Sequence, residues 1–239
     1  MKFLETMTRS NKKYMIATIK SWNIDFAKKF IAANPELEVE LVTNKDALTF
    51  DRVKQFGPRY IFIPHWSWMI PQEIYDNFEC VVFHMTDLPF GRGGSPLQNL
   101  IERGIYKTKI SALRVAGQVD AGPIYMKRDL DLQGSATQIF KCASEIIFED
   151  MIPSIMRDSP EPAAQVGPAV MFTRRTGVQS NIAELTGSTK VYDYIRMLDA
   201  EDYPPAFVET AALNIEFSDA RLDGEYVLAQ ARIKVKDEG

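Results

Sequence analysis

Strand-like and helix-like stretches alternate along the first half of this 239-residue chain, and this alternation limits the fold more than any other feature. Three runs are almost continuously apolar: YMIATI (14–19), YIFIPHW (60–66) and CVVFHM (80–85). Stretches with helical spacing separate them, such as NIDFAKKFIAAN (23–34) and NKDALTFDRVKQFG (44–57). Apolar strands joined by helices are typical of a parallel sheet covered on both faces. The sequence therefore predicts an α/β protein with a mostly parallel sheet.

The second half of the chain combines a long helix with a short tail. SATQIFKCASEIIFEDMIPSIMRD (135–158) has the spacing of an amphipathic helix, and Ser135 is placed to cap it. The next stretch, SPEPAAQVGP (159–168), is polar and rich in proline, which is typical of a linker. A helical stretch and two strand-like stretches follow. We therefore expect a main domain over residues 1–160 and a small α+β C-terminal module over residues 161–239.

Charge and cysteine content exclude several functional classes. The chain has 28 Lys and Arg against 32 Asp and Glu, and this net charge of −4 argues against a general nucleic-acid-binding protein. Cys80 and Cys142 are too few and too isolated for a disulfide framework or a metal site. No run of eighteen apolar residues occurs that could span a membrane. We expect a cytoplasmic protein with no metal and with neither nucleic acid nor membrane as partner.

The chain's two histidines both fall at the carboxyl end of a predicted strand, where ligands of parallel sheets bind. His65 ends one strand, and His84 ends another and precedes the loop TDLPFGRGGSP (86–96). The glycines of this loop match neither of the common phosphate-binding patterns, GxxxxGK[ST] and GxGxxG. A tight turn that brings the backbone close to a ligand or a helix is the alternative interpretation. A satisfied core histidine is the alternative for His84.

An acidic residue stands in a second glycine-containing loop, QVDAGPIY (118–125). Asp120 in such a turn is most often a local turn former. Paired with an imidazole, however, its carboxylate would orient the ring for proton transfer, as acyl transfer requires. The sequence thus suggests His84 and Asp120 as a catalytic pair.

The two loops together carry a family resemblance. FHMTDLPFGRGGSPLQNLI (83–101), followed by VDAGPIY (119–125), resembles the formyltransferases that use N10-formyltetrahydrofolate, which act on methionyl-tRNA, glycinamide ribonucleotide or amino sugars. The resemblance covers residues 60–150 well and the first sixty residues in topology only. It implies a Rossmann-like, mostly parallel sheet of the formyltransferase type and N10-formyltetrahydrofolate as co-substrate. His84 and Asp120 fall on the family's catalytic histidine and aspartate.

The same resemblance places the folate. HWSWMIP (65–71) falls on the family segment whose backbone holds the pterin ring. The pterin pocket would be lined by Trp66, Trp68, Met69 and Ile70 on one side and by Val119 and Asp120 on the other. Plain core packing is the alternative for both tryptophans.

One position departs from the family pattern. The family has an asparagine two residues before the histidine, and its amide donates a hydrogen bond to the developing oxyanion; this chain has Val82 there. Loss of one such donor costs about 10²–10³ in rate. His65 is our candidate for the missing donor, and a partly buried histidine bonded to a backbone carbonyl is the alternative.

The tail indicates the acceptor. FTRRTGVQSNI (172–182) and VYDYIRMLDAEDYPPAF (191–207) resemble the C-terminal module of formyltransferases that act on nucleotide-linked amino sugars. The first expected substrate is a UDP-linked 4-amino-4,6-dideoxy sugar of surface glycan biosynthesis. We expect this substrate to contact Thr86, Arg92, Gly93, Gly94, Ser95, Arg174 and Arg175. The last two, Arg174 and Arg175, would clamp its diphosphate. The open alternatives are solvated surface arginines, a binding protein without turnover, a formyltetrahydrofolate hydrolase, and formylation of a peptide or carrier. A homodimer is a possible assembly.

Overall fold

A computed structural model describes residues 12–236 of the chain. Eleven strands occur in this part: β1 Lys13–Ala17, β2 Glu38–Val42, β3 Tyr60–Pro64, β4 Cys80–His84, β5 Phe90–Gly93, β6 Lys107–Arg114, β7 Ile124–Asp131, β8 Val170–Phe172, β9 Ala206–Glu209, β10 Leu213–Asp223 and β11 Tyr226–Val235. Seven α-helices accompany them: α1 Ser21–Ala33, α2 Phe50–Phe56, α3 Gln72–Tyr75, α4 Pro96–Glu102, α5 Ala136–Ile146, α6 Ile152–Asp158 and α7 Ser188–Arg196. None of the helices in this part of the chain is long and apolar enough to cross a bilayer.

The chain forms two compact units, each assembled from three stretches of sequence. The first contains the described residues up to His84 together with residues 111–128 and 144–166. The second contains residues 85–110 and 129–143 and the described residues from Gly167 onward. The domain boundary that we place after residue 160 is a single cut in the sequence and stays a prediction.

The largest sheet has the strand order β2-β1-β3-β4-β6-β7, and β1 to β4 lie wholly in the first unit. β1 pairs in parallel with β2 and β3, and β3 pairs in parallel with β4. β4 and β6 are antiparallel, and His84 stands opposite Ser111. The predicted α/β fold with a mostly parallel sheet is confirmed.

The apolar strands predicted from sequence form the centre of the first unit. All five residues of β3 are buried, and so are the last four of β1. An apolar cluster contains Met15 from β1, Ile63 from β3 and Cys80 from β4. Burial on both faces is what the continuous apolar runs of these strands require.

The two long predicted helices are each interrupted. The stretch 44–57 forms a 3₁₀ turn at Lys45–Ala47 before α2 begins. The stretch 135–158 contains a π-helical turn, Ile147–Met151, between α5 and α6. Pro153 has no N–H for an α-helical bond in this region, which accounts for a break there. The predicted cap is confirmed, because Ser135 Oγ accepts a hydrogen bond from the Gln138 N–H.

The C-terminal part of the second unit contains the antiparallel sheet β11-β10-β9, and α7 packs against β10. A buried arginine ties α7 to the rest of this unit. Arg196 Nε donates to Asp193 Oδ1 at 2.7 Å, and its Nη1 donates to the carbonyls of Leu132 and Gly134 at 2.6 and 2.8 Å. Tyr106 Oη donates to the other Asp193 oxygen at 2.6 Å. Both carboxylate oxygens of Asp193 therefore accept a hydrogen bond in this network.

Candidate active site

The structure brings His84 and Asp120 together. His84 is the last residue of β4, and its Nδ1 lies 3.4 Å from Asp120 Oδ2. The side chains are only 10% and 16% exposed, so water screens the contact weakly. Thirty-six positions of sequence separate them. Such a pair can hold an imidazole in one orientation with one nitrogen hydrogen-bonded to the carboxylate.

The loop that carries Asp120 has little freedom. Asp120 adopts a left-handed backbone with a φ of 52°. A Cβ at Gly122 would lie 1.8 Å from the Arg114 carbonyl oxygen, so only glycine fits there. Gln165 Nε2 donates hydrogen bonds to the carbonyls of Asp120 and Gly122 at 2.8 and 2.9 Å. The close approach of Gly122 to Arg114 and the hydrogen bonds from Gln165 therefore both restrict the conformation of this loop.

Sequence reasoning missed Gln165, because the stretch 159–168 is predicted to be a linker. In the structure Ala163 and Ile124 exchange two backbone hydrogen bonds of 2.7 and 2.9 Å, which attach this stretch to the start of β7. The linker prediction is therefore wrong for its central residues. A single glutamine in a proline-rich stretch gives no signal of such a long-range contact.

His65 lies just beyond the end of β3 and is not part of the strand. β3 ends at Pro64, and His65 has a left-handed backbone with a φ of 55°. Its ring stands edge-on to Trp22 in α1, with the centroids 5.5 Å apart. Burial, together with the nearby positive charge of Lys20, lowers the pKa of His65 from its usual 6.5 to about 4. The imidazole is thus neutral at pH 7 and can donate one hydrogen bond.

The segment predicted to hold the pterin divides into inward and outward side chains. Ile70 is 8% exposed and belongs to the apolar core, and Trp66 packs partly against the same core. Trp68 is 44% exposed, its ring edge-on to Trp66, and Met69 is 71% exposed. Val119, on the other predicted side of the pocket, is 49% exposed. Core packing therefore explains Ile70 and much of Trp66 but not Trp68 or Met69.

The glycines of the loop after His84 are required by close packing within the second unit. β5 pairs with β8, and a Cβ at Gly91 would lie 2.7 Å from the Phe172 ring. A Cβ at Gly93 would lie 2.4 Å from the Phe172 carbonyl oxygen, and one at Gly94 would lie 2.6 Å from Arg174 Cβ. The interpretation as a tight turn with close backbone approach is thus supported. Contact of Gly93 and Gly94 with a sugar stays a prediction.

Polar side chains in this loop and after it also have structural partners. Thr86 Oγ1 donates to the Gly91 carbonyl at 3.3 Å, and Ser95 Oγ accepts from the Arg175 N–H at 3.1 Å. Arg92 lies on β5 and is half-buried. Their predicted substrate contacts stay predictions.

The two arginines predicted to clamp a diphosphate differ in exposure, and their contact with a substrate stays a prediction. The Arg175 side chain is 6% exposed, and its Nη1 lies 2.6 Å from Glu102 Oε2. Its Nη2 donates to the Gln179 carbonyl at 2.7 Å, and its guanidinium lies over the Tyr194 ring. Arg175 Nη1 and Nη2 are therefore occupied by structural contacts, whereas its buried Nε has no hydrogen-bond partner among the described residues. Arg174 is exposed.

Comparisons with known proteins identify the family of the chain. A sequence model described as "Methionyl-tRNA formyltransferase, C-terminal domain" matches residues 178–234. A solved structure named methionyl-tRNA formyltransferase from Clostridium thermocellum is 54% identical, has a TM-score of 0.92, and covers 94% of this chain and 99% of its own. The chain belongs to the formyltransferase family. The predicted family is thereby confirmed, and enzymes of this family take the formyl group from N10-formyltetrahydrofolate.

Two further relatives show how far the likeness extends. The methionyl-tRNA formyltransferase of Campylobacter lari is 24% identical over 200 residues, which are 81% of this chain and 65% of that protein. The match spans between 31% and 65% of the length of the curated relatives. A sugar N-formyltransferase from Shewanella sp has a TM-score of 0.66 at 11% identity and covers 95% of this chain and 99% of its own, which shows a shared fold.

Within this formyltransferase, the position of the family's asparagine offers no polar group. Val82 lies in β4 between Ile63 of β3 and Leu113 of β6, and it packs partly against the apolar core. A valine side chain donates no hydrogen bond. The oxyanion donor that the resemblance implies would therefore have to be another group, and His65 stays our predicted candidate.

Gln165 provides a first test of the loop that carries Asp120. We expect Gln165→Ala to lower kcat of formyl transfer by about tenfold, because Asp120 loses the hydrogen bonds that fix its loop and misplacement of a catalytic group by about 1 Å is costly. The matched control is Gln55→Ala, on the exposed side of α2, which should leave kcat unchanged. Equal rates for the two variants would contradict a positioning role.

His65 provides a test by pH. The folded protein protonates His65 only near pH 4, whereas the unfolded chain protonates it near pH 6.5. The unfolded state therefore binds the proton first as the pH falls, and stability that is complete above pH 6.5 is lost towards pH 4. The loss is about 3 kcal/mol. We expect the free energy of unfolding of His65→Gln to fall less over this range than that of the natural protein; parallel curves would contradict the burial of the neutral ring.

Proposed function

We propose that this chain is an N-formyltransferase that moves the formyl group of N10-formyltetrahydrofolate to the primary amine of a second substrate. The observation that carries the proposal is the contact of 3.4 Å between His84 Nδ1 and Asp120 Oδ2 at the carboxyl end of β4. Formyl transfer between two nitrogens needs one group that can both donate and accept a proton, and imidazole does so near neutral pH.

In the proposed reaction, the neutral amine attacks the formyl carbon, and a new C–N bond forms while the carbonyl oxygen becomes an oxyanion. His84 takes up the proton that the amine loses, and the imidazolium that results donates a hydrogen bond to the oxyanion while Asp120 keeps the ring oriented. Breakdown of the tetrahedral intermediate breaks the bond between the formyl carbon and N10. The proton lost by the amine passes through His84 and water to N10, so tetrahydrofolate leaves as a neutral amine.

Exposed apolar side chains of the first unit are suited to bind the formyl donor, N10-formyltetrahydrofolate. Trp68, Met69 and Val119 present large apolar surfaces to solvent on the two segments that we predict to flank the pterin ring. An aromatic ring and a thioether are suitable contacts for a flat heterocycle. We propose that these three side chains contact the pterin, and that Trp66 and Ile70 support them from the core.

For the acceptor, we propose a nucleotide-linked amino sugar, with a UDP-linked 4-amino-4,6-dideoxy sugar as the first candidate. The exposed Arg174 is available for a diphosphate. The C-terminal stretch 178–234 contains ten Asp and Glu residues against five Lys and Arg, which disfavours a long phosphate backbone. A single nucleotide avoids that repulsion. The homodimer and the cytoplasmic location stay predictions.

Methionyl-tRNA is a second candidate acceptor. One specific observation favours it: the structure that is 54% identical over 94% of this chain is named methionyl-tRNA formyltransferase. The acidic stretch 178–234 argues in the opposite direction. The two acceptors differ enough in charge and size for a direct test.

The test is incubation with N10-formyltetrahydrofolate and one acceptor at a time. We expect a product 28 Da heavier than the amino sugar by mass spectrometry, a value that is roughly the mass of CO gained on formylation, and competition by free UDP. Formylated methionyl-tRNA, with no competition by UDP, would identify the second candidate. Formate release without any amine would identify a hydrolase, and binding without turnover would identify a binding protein; both would overturn the proposal.

The proposed role of His65 as oxyanion donor is tested by combining its substitution with a substitution of Val82. We expect His65→Ala to lower kcat by about 10²–10³ in the natural protein, because it removes the proposed oxyanion donor. In the Val82→Asn background the same change should cost less than about tenfold, because the introduced amide donates instead. Equal losses in both backgrounds would show that His65 is not the donor.

A further inference from the structure

A cavity of about 450 Å³ lies on one face of the C-terminal sheet, within the second unit. Pro204 and Phe207 provide apolar walls, and Asn214, Glu216 and Lys234 provide polar groups. The residues that line this cavity include neither His84 nor Asp120.

The strand register places the polar groups side by side. Asn214 of β10 stands directly opposite Glu209 of β9 and Lys234 of β11. Two residues along β10, on the same face, Glu216 stands opposite Phe207. Directly opposite side chains in antiparallel strands are neighbours, and residues two apart share a face. The cavity therefore has an aromatic ring, an amide, a carboxylate and an ammonium within one small area.

One polar atom in this area lacks a partner. Asn214 Oδ1 is buried, and no group among the described residues donates a hydrogen bond to it. A buried acceptor without a donor is costly, and native structures rarely keep one unless a ligand or water satisfies it. The amide oxygen can therefore accept a hydrogen bond from an N–H group of a ligand in the cavity.

The two lysines of the cavity differ in their partners. Lys236 is occupied, because its Nζ lies 2.7 Å from Glu209 Oε1 and donates to the Thr210 carbonyl at 2.8 Å. Lys234 forms no ion pair with any residue between 12 and 236. Its ammonium is therefore available for an anion.

We propose that this cavity binds a nucleoside phosphate. The base lies against Pro204 and Phe207 and donates an N–H to Asn214 Oδ1, the phosphate pairs with Lys234, and Glu216 accepts a hydrogen bond from a ribose hydroxyl. A nucleoside phosphate carries a suitable group for each of these partners. Its base is a flat ring with N–H donors for the apolar wall and the unpaired amide oxygen, its ribose is a diol for the carboxylate, and its phosphate is an anion for the ammonium. The nucleotide is either a free one or the nucleotide half of a larger molecule.

The experiment is calorimetric titration of the full chain with UMP, AMP, uridine, ribose 5-phosphate and inorganic phosphate. We expect at least one nucleotide to bind about tenfold more tightly than its parts, since one good hydrogen bond or ion pair corresponds to about tenfold in affinity. Asn214→Leu should weaken the nucleotide by about tenfold. Lys234→Met should weaken the nucleotide by about tenfold and leave uridine unchanged.

Lys190→Met, on the exposed side of α7, is the matched control and should bind like the natural protein. Thermal unfolding of each variant verifies that the sheet remains folded. Absence of nucleotide binding, phosphate binding as tight as the nucleotide, or binding that neither variant alters would overturn the proposal. A nucleotide sugar that displaces UMP supports a site for its nucleotide half, and UMP binding that no nucleotide sugar displaces supports a site for a free nucleotide.

Discussion

His84→Gln should lower kcat/KM of formyl transfer by about 10²–10⁴, the range that one general acid–base group contributes. Glutamine keeps a polar side chain of similar length but cannot take up a proton and pass it on. The measurement is the initial rate of product formation at saturating and at limiting donor. Because His84 is buried, each variant is also compared with the natural protein by thermal unfolding.

Asp120 should act as one unit with His84. We expect Asp120→Asn to lower kcat by a similar order, and the double variant His84→Gln/Asp120→Asn to be about as slow as the slower single variant, because groups that act together are not additive. Asp129→Asn, an exposed aspartate paired with Lys109, is the matched control and should keep full activity. Near-normal activity of either active-site variant would remove the basis of the proposed mechanism.

The largest expected loss of stability comes from Arg196→Met. Methionine fills most of the volume but leaves the buried Asp193 carboxylate without its cation and the Leu132 and Gly134 carbonyls without a donor. The Arg196 and Asp193 side chains are 3% and 8% exposed. Removal of one partner of such a pair typically costs 3–5 kcal/mol, so we expect about that loss in the free energy of unfolding by urea.

The same substitution at an exposed pair separates this effect from a general cost of losing arginine. Arg157 pairs with its neighbour Asp158, and both side chains are more than half exposed. Arg157→Met should cost less than about 1 kcal/mol, as surface ion pairs do. Similar losses for both variants would mean that the buried network of Arg196 contributes little.

The strands were predictable because their signal is local. Continuous apolar runs identify β1, β3 and β4 to within two residues, and burial on both faces explains why those runs are apolar. The contact between His84 and Asp120 was predictable for a different reason: ligand-binding groups lie at the strand ends of parallel sheets, and the two loops resemble a known family.

The contacts that sequence reasoning missed are all long-range. Gln165 bonds to backbone groups more than forty positions away, and Arg175 pairs with Glu102, seventy-three positions earlier. No local pattern distinguishes an exposed arginine from one that lies in such a pair. The π-helical turn before Pro153 was hidden for a related reason, since an extra residue in a helical turn hardly alters its apolar periodicity.

The alternation of the two units along the chain has a consequence for recombination. Because each unit is assembled from three separate stretches, a chimera made by one crossover with a relative would combine segments of mixed parentage inside the same unit. A crossover near residue 160 would import the end of the first unit and the last stretch of the second unit, while residues 85–110 and 129–143 of the second unit stayed native. Exchange of the whole second unit between such enzymes would therefore require all three stretches to be transplanted together.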